Sequence, residues 1–535
     1  MPELIIHGHF YQPPRENPWT GIVDTEPSAA PFHDWNERIH SECYRPNAFV
    51  RIADPSTLEE RIVNNYTNLS FNFGPTLLSW LESNHPDTYA RIIEADRESA
   101  LKRGGHGNAF AQAYGHAILP LCNERDLRTQ IRWGMADFRQ RFGREPEAMW
   151  LPETACNDAV MRALIDENLR FVILAPHQAS RVRPSISTAS GPGSPSEQPA
   201  WGGGCDQLDS SAGGTEWQSV NDQNIDTSVA YRYLHPDGSD RSIAVFFYDG
   251  PTSRAIAFEN LLRSSHELVD RLARSAQNRE MVNVATDGET YGHHFKFGDL
   301  CLAHALELDA PARGFSITNY GEYLEKHPPA FDVEISKGPN GEGTSWSCPH
   351  GMGRWLRDCG CQTGGEPGWN QKWRTPLRQA LDYLRDENVR HFEATTLFND
   401  PWQARNDSIE LILNQHYSRE QFLYDHAGHW LSADEQGSAL TYLELQHMLL
   451  LMYTSCGWFF NDISGIETIQ ILKYAGRAID LMNQLGLPSV RDRFLEILAE
   501  AESNRSELGT GADIYRLHAE YQALEYQLQL GFSES

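Results

Sequence analysis

The sequence predicts an α/β protein in which a parallel sheet is followed by a separate helical unit. Short apolar runs alternate with longer helical patterns through the first two thirds of the chain, which favours a parallel sheet, closed or open. From about Thr375 onward, helical periodicity dominates and strand signals are few. The predicted buried strands cover residues 4–7, 148–151, 171–174, 244–247 and 281–285, and the predicted helices include 86–102 and 124–142.

Composition divides the chain into four predicted regions. Residues 1–335 carry the strand–helix alternation, and residues 375–535 carry the helical pattern. Within the first region, residues 184–214 are rich in Ser, Gly and Pro, a composition that cannot pack as a core and predicts a flexible insertion. Residues 336–374 are rich in Gly, Trp and Cys, which is typical of a binding loop.

Charge and cysteine content exclude several classes of protein. With 45 basic and 73 acidic residues, the formal charge is −28, and this field repels nucleic acids and anionic membranes. We see no signal peptide, and no stretch approaches the ~18 consecutive apolar residues of a membrane span. The nine cysteines are scattered, as is typical of a reducing compartment. We therefore expect a cytoplasmic protein.

The first candidate motif ends the first predicted strand. His7 and His9 are two residues apart, so both side chains point to the same side of the sheet. Such a pair is suited to binding a metal or to donating hydrogen bonds to a substrate. The alternative is one buried, satisfied histidine and one incidental surface histidine.

Two carboxylates follow predicted strands at similar positions. Glu153 follows Trp150 at the end of one strand, and Asp287 ends another. In barrels of alternating strands and helices, side chains at the carboxyl ends of strands face the active site. Paired carboxylates that flank a sugar are what glycosidic cleavage requires. The alternatives are a helix-start glutamate for Glu153 and an ordinary turn aspartate before glycine for Asp287.

Residues suited to binding sugar occur around these motifs. Flat aromatic faces pack against pyranose rings, and polar side chains bond to sugar hydroxyls. The aromatic candidates are Tyr11, Trp19, Trp150, Trp346, Trp355, Trp369 and Trp373, and the polar candidates are His106, Asn108, His116, Asp249 and Arg254.

The motifs resemble, in the same order, the signature regions of family 57 glycoside hydrolases. This family includes α-amylases, 4-α-glucanotransferases and glycogen branching enzymes. The similar segments are His7-Gly-His9, then Gly105-His106-Gly107-Asn108 with Tyr114-Gly115-His116, then Trp150-Leu-Pro-Glu153, and last Asp287-Gly-Glu289-Thr-Tyr-Gly292-His293. The resemblance implies that Glu153 is the nucleophile and that Asp287 is the general acid/base.

Further segments are similar to those of branching-type members. Tyr248-Asp249-Gly-Pro-Thr-Ser253 resembles a segment before the fourth region. Thr344-Ser345-Trp346 with Trp369-Asn370 and Trp373, and Leu449 to Trp458, resemble later segments. The C-terminal part also resembles a helical domain of unknown function that accompanies one branch of the family.

The resemblance implies an incomplete (β/α)₇ barrel, followed by a helical domain, that acts on an α-glucan or malto-oligosaccharide. It implies no cofactor, no catalytic metal and no nucleic-acid or membrane partner. The substrate-binding residues that it implies are His7, His9, His106, His116, Trp150, Asp249, Glu289, His293, Trp346, Trp369, Trp373 and Trp458.

The sequence departs from the family pattern at three places. Phe10-Tyr11 separate His9 from Gln12-Pro13, and Asn108 stands where the family usually has glutamate. The loop after Trp346 also carries a set of Cys348, His350, Cys359 and Cys361. These are zinc-ligand types, but Cys-x-His with Cys-x-Cys is not the usual Cys-x₂-Cys spacing. The spacing therefore favours reduced cysteines in a packed loop over a zinc site.

The expected chemistry is a double displacement with net retention, which requires carboxyl groups ~5–5.5 Å apart. The sequence does not decide between hydrolysis, glucan transfer and branching. We hypothesise that the 184–214 insertion, with Trp201, covers the site and influences that outcome. Two other functions stay open. One is a metal-dependent polysaccharide deacetylase-like hydrolase with His7 and His9 as ligands, and the other is a non-catalytic glucan-binding protein.

Overall fold

A computed structural model describes residues 1–53, 60–185, 216–414 and 416–526 of the chain. The chain divides into two units by contacts. Unit 1 comprises residues 1–12, 35–112 and 141–337, and unit 2 comprises residues 13–34, 113–140 and 338–535. Apart from residues 184 and 185, the predicted insertion with Trp201 lies outside the described residues.

Unit 1 is built on seven parallel strands within the described residues. Each alternates along the chain with helices and loops, as the strand–helix pattern of the sequence predicts. Their residues are almost all buried, which explains why the strands read as continuous apolar runs. The strands are β1 (Glu3–Phe10), β2 (Ser70–Phe73), β3 (Ala109–Gln112), β4 (Met149–Trp150), β5 (Phe171–Leu174), β6 (Ser242–Phe247) and β7 (Met281–Asp287).

The strand order follows the chain around an incomplete barrel. Parallel ladders join β7 to β1, β1 to β2, β2 to β3 and β3 to β4. A single parallel bridge between Ala148 and Phe171 joins the β4 side to β5, and β5 pairs parallel with β6. The carboxyl ends of all seven strands therefore meet at one edge.

The barrel is incomplete because the second edge of β6 is already occupied. An antiparallel strand, Ala230–Leu234, pairs along β6, so β7 cannot form a ladder there. Two single hydrogen bonds link the β6 end to β7 instead: Asp249 N donates to Asn283 O (2.8 Å), and Asn283 Nδ2 donates to Phe247 O (3.2 Å). The incomplete (β/α)₇ barrel expected from the sequence is confirmed.

Further strands and helices complete unit 1. The helices begin at polar caps in several cases, as when Asn157 Oδ1 accepts from Val160 N (3.0 Å). The other strands are Val50–Ala53, Glu60–Val63, Ala179–Pro184, Gln218–Ser219, Ser316–Ile317 and Phe331–Ile335. The α-helices are Trp35–Ile39, Arg45–Ala48, Pro75–Asn84, Pro86–Lys102, Asp158–Asp166, Gly250–Phe258, Ser265–Ser275, Gly298–His304, Ala310–Ala312 and Tyr320–Lys326.

Unit 2 is helical, as the sequence predicts for the last third of the chain. One of its cores includes Phe392, Phe422 and Leu443, all buried. Its helices are Glu124–Phe142 (through Gln140), Arg374–Ala394, Pro401–Asp407, Ile409–Leu413, Arg419–Ala427, Ala433–Leu451, Cys456–Phe459, Ile466–Gln484, Arg491–Leu498 and Gly511–Tyr515. Among the described helices, none is both long enough and apolar enough to cross a bilayer.

Two segments that precede position 141 pack into unit 2. In the first, Trp19 is buried and its Nε1 donates to Asp480 Oδ2 (2.8 Å). In the second, Trp133 Nε1 donates to Asn406 O (2.9 Å), and Arg405 pairs with Asp126 (2.6 Å). Trp19, which the sequence offered as a sugar platform, is therefore a packing residue of the helical unit.

Gly288, directly after β7, tests how tightly the strand ends are packed. A Cβ atom at this position would lie 2.3–2.5 Å from ring atoms of Phe10, and that ring is fully buried and stacked on Phe73 (4.8 Å between centroids). We expect Gly288→Ala to lower the free energy of unfolding by about 1–3 kcal/mol, measured by urea denaturation. Gly437→Ala, at an exposed helical position with nothing within 4 Å of the added atom, is the matched control. It is expected to raise stability slightly. An unchanged midpoint for Gly288→Ala would contradict the packing described.

Candidate active site

The end of β1 carries a buried polar cluster. His7 and His9 point to one side of the strand, opposite Ser70 and Asn72 of β2. His7 Nε2 bonds Asn72 Oδ1 (3.1 Å), and Asn72 Nδ2 donates to His9 Nδ1 (2.9 Å), so one amide holds both imidazoles. His7 Nδ1 also lies 3.2 Å from Ser70 Oγ. In these hydrogen bonds the ring nitrogens meet an amide and a hydroxyl group, as is typical of neutral histidines.

Both imidazoles are held uncharged and in stacked positions. Burial lowers the pKa of His7 and of His9 to about 3, although the bond to Asn72 acts in the opposite direction. The Trp150 indole stacks on both rings, with centroids 4.6 Å from His7 and 5.2 Å from His9. Trp150 is itself 1% exposed. It supports the histidines and does not present a face to solvent.

Sequence reasoning missed Asn72 and Gln112, which belong to the same cluster. Asn72 Nδ2 donates to Gln112 Oε1 (2.6 Å), so the polar layer continues from β2 to β3. Both side chains are buried at the carboxyl ends of their strands. The available signal was a polar residue at the end of a short apolar run, in Ser-Phe-Asn-Phe and Ala-Phe-Ala-Gln.

Glu153 lies in a tight turn directly after β4. Its backbone is left-handed (φ 58°, ψ 21°), and that of Thr154 also has positive φ (49°). For residues other than glycine, such conformations cost about 1–3 kcal/mol each and persist only when the surroundings enforce them. The turn projects the partly exposed Glu153 side chain at the carboxyl edge of the barrel.

Gln178 is the residue that enforces this turn. Its Nε2 donates to Thr154 O (2.8 Å), and its Oε1 accepts from Thr154 Oγ1 (3.0 Å) and from Ala175 N (2.8 Å). Gln178 is fully buried after β5. The neighbouring strand thus fixes the backbone of the candidate nucleophile. Sequence reasoning did not identify Gln178, since a lone glutamine carries no pattern.

Asp287 ends β7 at the same edge as Glu153. Asp287 is the one exposed residue of β7, but the surrounding protein partly desolvates its carboxyl group. This desolvation, together with the negative charge of Glu153, raises the pKa of Asp287 to about 7. The two carboxylates therefore interact electrostatically, and Asp287 is partly protonated at neutral pH.

Glu289 supports the backbone around Asp287. Its Oε1 accepts from Tyr11 N (3.0 Å) and from Tyr44 Oη (2.6 Å). Burial and, to a smaller extent, the charge of Asp287 raise the pKa of Glu289 to about 8, although the Tyr44 bond acts to lower it. Glu289, which follows β7, therefore forms a hydrogen bond with the backbone of the segment that follows β1.

Tyr248 and the predicted residue Asp249 directly follow β6, but their side chains have different surroundings. Burial and the charge of Asp287 raise the pKa of the Tyr248 phenol, so Tyr248 lies within the field of the candidate acid. Asp249 instead caps the helix Gly250–Phe258, with its Oδ1 accepting from Thr252 N (2.9 Å). Asp249 thus orients the helix, and Tyr248 is the neighbour of the carboxylate pair.

His106 does not join the residues at the carboxyl edge. It lies three residues before β3, at the amino end of that strand. Its Nδ1 bonds Glu147 (2.9 Å) and its Nε2 bonds Glu325 (2.7 Å), and these bonds raise its pKa although burial alone would lower it. His293, after β7, forms a hydrogen bond from its Nδ1 to the Glu42 carboxylate.

The other predicted binding residues lie in unit 2. His116 is buried with positive φ (54°), and its Nδ1 lies 2.6 Å from Ser455 Oγ. Trp373 and Trp458 are fully buried, and Arg378 lies over the Trp458 ring (4.4 Å). Trp346 and Trp369 are partly exposed. Indoles as buried as Trp373 and Trp458 pack inside the helical unit, so only the partly exposed pair offers faces to a ligand.

The carboxyl-edge residues do not form a metal-ligand set. In the described part of the chain, two groups of three or more potential ligands lie close enough to share an ion: Cys348, His350, Cys359 and Cys361, and Glu37, His40 and His85. Neither group includes His7, His9, Glu153 or Asp287. The deacetylase-like alternative needs such a set, and the bonds of His7 to Asn72 and Ser70 do not favour it.

Family models match most of the chain. Residues 14–333 match glycosyl hydrolase family 57, and residues 369–530 match a domain of unknown function (DUF3536). The chain belongs to glycosyl hydrolase family 57. A segment of 107 residues is 25% identical to alpha-amylase 1 of Dictyoglomus thermophilum and covers 20% of this chain and 15% of that protein. The aligned segment is thus far shorter than that relative.

Solved structures share the fold of this family 57 chain. A maltose-forming amylase of exo type from Pyrococcus sp. ST04 superimposes with a TM-score of 0.66 at 15% identity, over 93% of this chain and 82% of that one. A branching enzyme from Pyrococcus horikoshii superimposes with a TM-score of 0.51 at 14% identity, over 97% and 94% of the two chains. At these identities the likeness establishes the fold.

The role of Gln178 is testable by an isosteric change. Gln178→Met removes every side-chain hydrogen bond that holds Thr154 while preserving volume. We expect the free energy of unfolding to fall by about 1–3 kcal/mol, because buried polar groups of the turn lose their partners. The control is Gln223→Met at an exposed position, expected to stay within about 0.5 kcal/mol of the parent. Equal stability of the two variants in urea would show that Gln178 does not hold the turn.

Proposed function

We propose that this family 57 chain is a retaining α-glucan hydrolase or glucanotransferase, with Glu153 as nucleophile and Asp287 as general acid/base. The observation that carries the proposal is the electrostatic pairing of these carboxylates at the carboxyl edge of the barrel. The pKa of Asp287 is raised to about 7 while Glu153 contributes negative charge. Opposite protonation states of two neighbouring carboxylates are what glycoside cleavage needs.

In the first half of the reaction, Glu153 attacks the anomeric carbon and Asp287 protonates the departing glycosidic oxygen. The C–O bond to the leaving sugar breaks as the ester bond to Glu153 forms. The strained turn held by Gln178 fixes the direction of attack, which is the positional precision that displacement requires. A carboxyl separation of ~5–5.5 Å is expected for this mechanism.

In the second half, the charge on Asp287 changes its role. Once Glu153 is an ester it no longer carries negative charge, so one of the two causes that raise the pKa of Asp287 is gone. Asp287, which has lost its proton to the leaving group, then takes a proton from water or from a sugar hydroxyl. That oxygen attacks the anomeric carbon and releases Glu153. Water as the attacking group gives hydrolysis, and a glucan hydroxyl gives transfer.

The neutral histidines are suited to hydrogen bonding and not to charge stabilisation. With pKa values lowered to about 3, His7 and His9 stay uncharged during turnover at neutral pH. Their orientation is fixed by Asn72 and by the stacking on Trp150. We assign them to the support and positioning of the reacting sugar. The proposed substrates are α-glucans, and the similarity to an alpha-amylase and to a branching enzyme supports this class.

Substitution of the two carboxylates tests the proposal directly. Glu153→Gln and Asp287→Asn are expected to lower kcat on amylose or maltoheptaose by more than about 10³-fold, followed by reducing-end release and chromatography of the products. The matched control is Glu325→Gln, a carboxylate that bonds His106 at the amino end of the barrel. It is expected to keep kcat within a factor of about two.

The outcomes of this experiment separate the open functions. Turnover by Glu153→Gln at the parent rate would overturn the assignment of the nucleophile. If no protein turns over, and maltoheptaose binds the parent and Glu153→Gln equally well by calorimetry, the chain is a glucan-binding protein.

The raised pKa of Asp287 predicts the basic limb of the pH profile. The general acid works only when protonated, so kcat/KM is expected to fall about tenfold per pH unit above about pH 7. The pKa of Glu289 is also raised, to about 8, and Glu289→Gln separates the two groups. The limb should persist in this variant because Asp287 is intact. Its disappearance in Glu289→Gln, or a parent profile that stays flat well above pH 7, would contradict the assignment.

A further inference from the structure

A cluster of four potential metal ligands lies in the loop that precedes the helix Arg374–Ala394. The ligand atoms of Cys348, His350, Cys359 and Cys361 all lie within 4.8 Å of one another. Cys348 Sγ is 4.0 Å from Cys359 Sγ and 3.7 Å from Cys361 Sγ, and Cys361 Sγ is 3.4 Å from His350 Nδ1. The loop therefore folds back to bring two short Cys/His pairs together.

These separations match the edges of a tetrahedral zinc site. With Zn–S bonds of about 2.3 Å and a Zn–N bond of about 2.0 Å, tetrahedral geometry places neighbouring sulfurs about 3.8 Å apart and sulfur and nitrogen about 3.5 Å apart. The observed values of 3.7, 4.0 and 3.4 Å fall around these two edges. Three thiolates and one imidazole are also a ligand set that prefers zinc to the hard cations.

A buried arginine provides an independent indication of negative charge at the cluster. Arg374 is fully buried, and its Nη1 lies 4.0 Å from Cys359 Sγ while its Nη2 donates to Cys361 O (3.2 Å). Across the described residues, no carboxylate forms an ion pair with Arg374. A buried cation is costly without a counter-charge. Zn²⁺ bound by three thiolates and a neutral histidine carries one net negative charge, which would balance this guanidinium.

The backbone is also shaped for this approach. A Cβ atom on Gly353 would lie 2.8 Å from Cys359 Cβ and 3.4 Å from His350 Cβ, so only glycine allows the two ligand segments to come this close. Next to it, Trp355 is fully buried and its Nε1 donates to Ser455 O (3.2 Å). The cluster thus closes the loop against the helical core of unit 2.

We infer that Cys348, His350, Cys359 and Cys361 bind one structural zinc ion that holds the 338–373 loop in its folded form. The four protein ligands leave no open coordination position, so the ion is structural and not catalytic. This site is separate from the carboxylate pair, and the inference does not rest on the proposed glycosidase function. It revises the expectation from sequence spacing, which favoured reduced cysteines without a metal.

The first test is the metal content of the full-length protein, purified without added metal or chelator. We expect about one zinc per chain by inductively coupled plasma mass spectrometry. Cys359→Ser and Cys361→Ser should lose most of this zinc. Cys122→Ser, a partly buried cysteine of the same unit outside the cluster, is the matched control and should retain it.

A second set of variants distinguishes the loss of a zinc ligand from the loss of zinc through misfolding. His350 is exposed, so its substitution should leave the packing of the loop intact. His350→Ala should bind zinc at least about tenfold more weakly in competition with a chromogenic chelator, whereas His350→Cys should restore tight binding. In the parent protein, cobalt exchanged for zinc should give the intense visible absorption of a tetrahedral thiolate complex.

Two results would overturn zinc binding at the cluster, and a third would contradict the four-ligand site. One is a parent protein that holds no stoichiometric zinc and takes up none from micromolar Zn²⁺. The other is a disulfide between two of Cys348, Cys359 and Cys361 in the freshly purified protein, detected by peptide mass mapping under non-reducing conditions. Equal zinc affinity in His350→Ala and the parent would remove His350 from the ligand set and contradict the four-ligand site.

Discussion

The candidate site depends above all on the electrostatic interaction between the carboxyl groups of Glu153 and Asp287 at the carboxyl edge of the barrel. In water two such carboxylates would both ionise at neutral pH, but desolvation and the charge of Glu153 raise the pKa of Asp287 to about 7, so a large fraction of Asp287 is protonated there. In the proposed mechanism, this asymmetry suits Asp287 to act as the acid and Glu153 to act as the nucleophile. It requires that both groups be fixed, because a mobile side chain would move apart from its neighbour and lose the effect. The hydrogen bonds of Gln178 and Glu289 provide that fixation.

The parallel barrel supplies the edge on which these groups meet. Because every strand of an all-parallel barrel ends on the same side, residues that are distant in sequence meet there without long connecting loops. The interior below the edge is filled by a polar layer in which Asn72 joins His7, His9 and Gln112. Such a layer is costly unless its members are hydrogen-bonded, and the single amide of Asn72 bonds to His7, His9 and Gln112. In unit 2, the buried guanidinium of Arg374 beside the Cys/His cluster likewise needs a compensating partner.

The regular elements could be predicted from the sequence, and the supporting residues could not. Long periodic helices were predicted at their observed bounds, Pro86–Lys102 and Glu124–Phe142, because amphipathic spacing and polar starts are local properties. The short strand Ser70–Phe73 was not identified, since four residues with a central polar group carry little periodicity. Glu153 and Asp287 follow strands and were found, whereas Gln178 acts through a contact between separate segments. Their catalytic roles stay predictions. Spacing alone also could not show that the two halves of the cysteine loop lie together, because their approach at Gly353 exists only in three dimensions.

Trapping the glycosyl–enzyme intermediate tests the central claim most directly. A maltosyl fluoride with a second fluorine on the reacting ring forms the covalent intermediate readily, because fluoride leaves well, and hydrolyses slowly, because the ring fluorine disfavours positive charge. Intact-protein mass spectrometry should show one added maltosyl unit per chain, and peptide mapping should place it on Glu153. The label should be absent from Glu153→Gln. A label on another carboxylate, or inverted product with no label at all, would contradict the double displacement at Glu153 and Asp287.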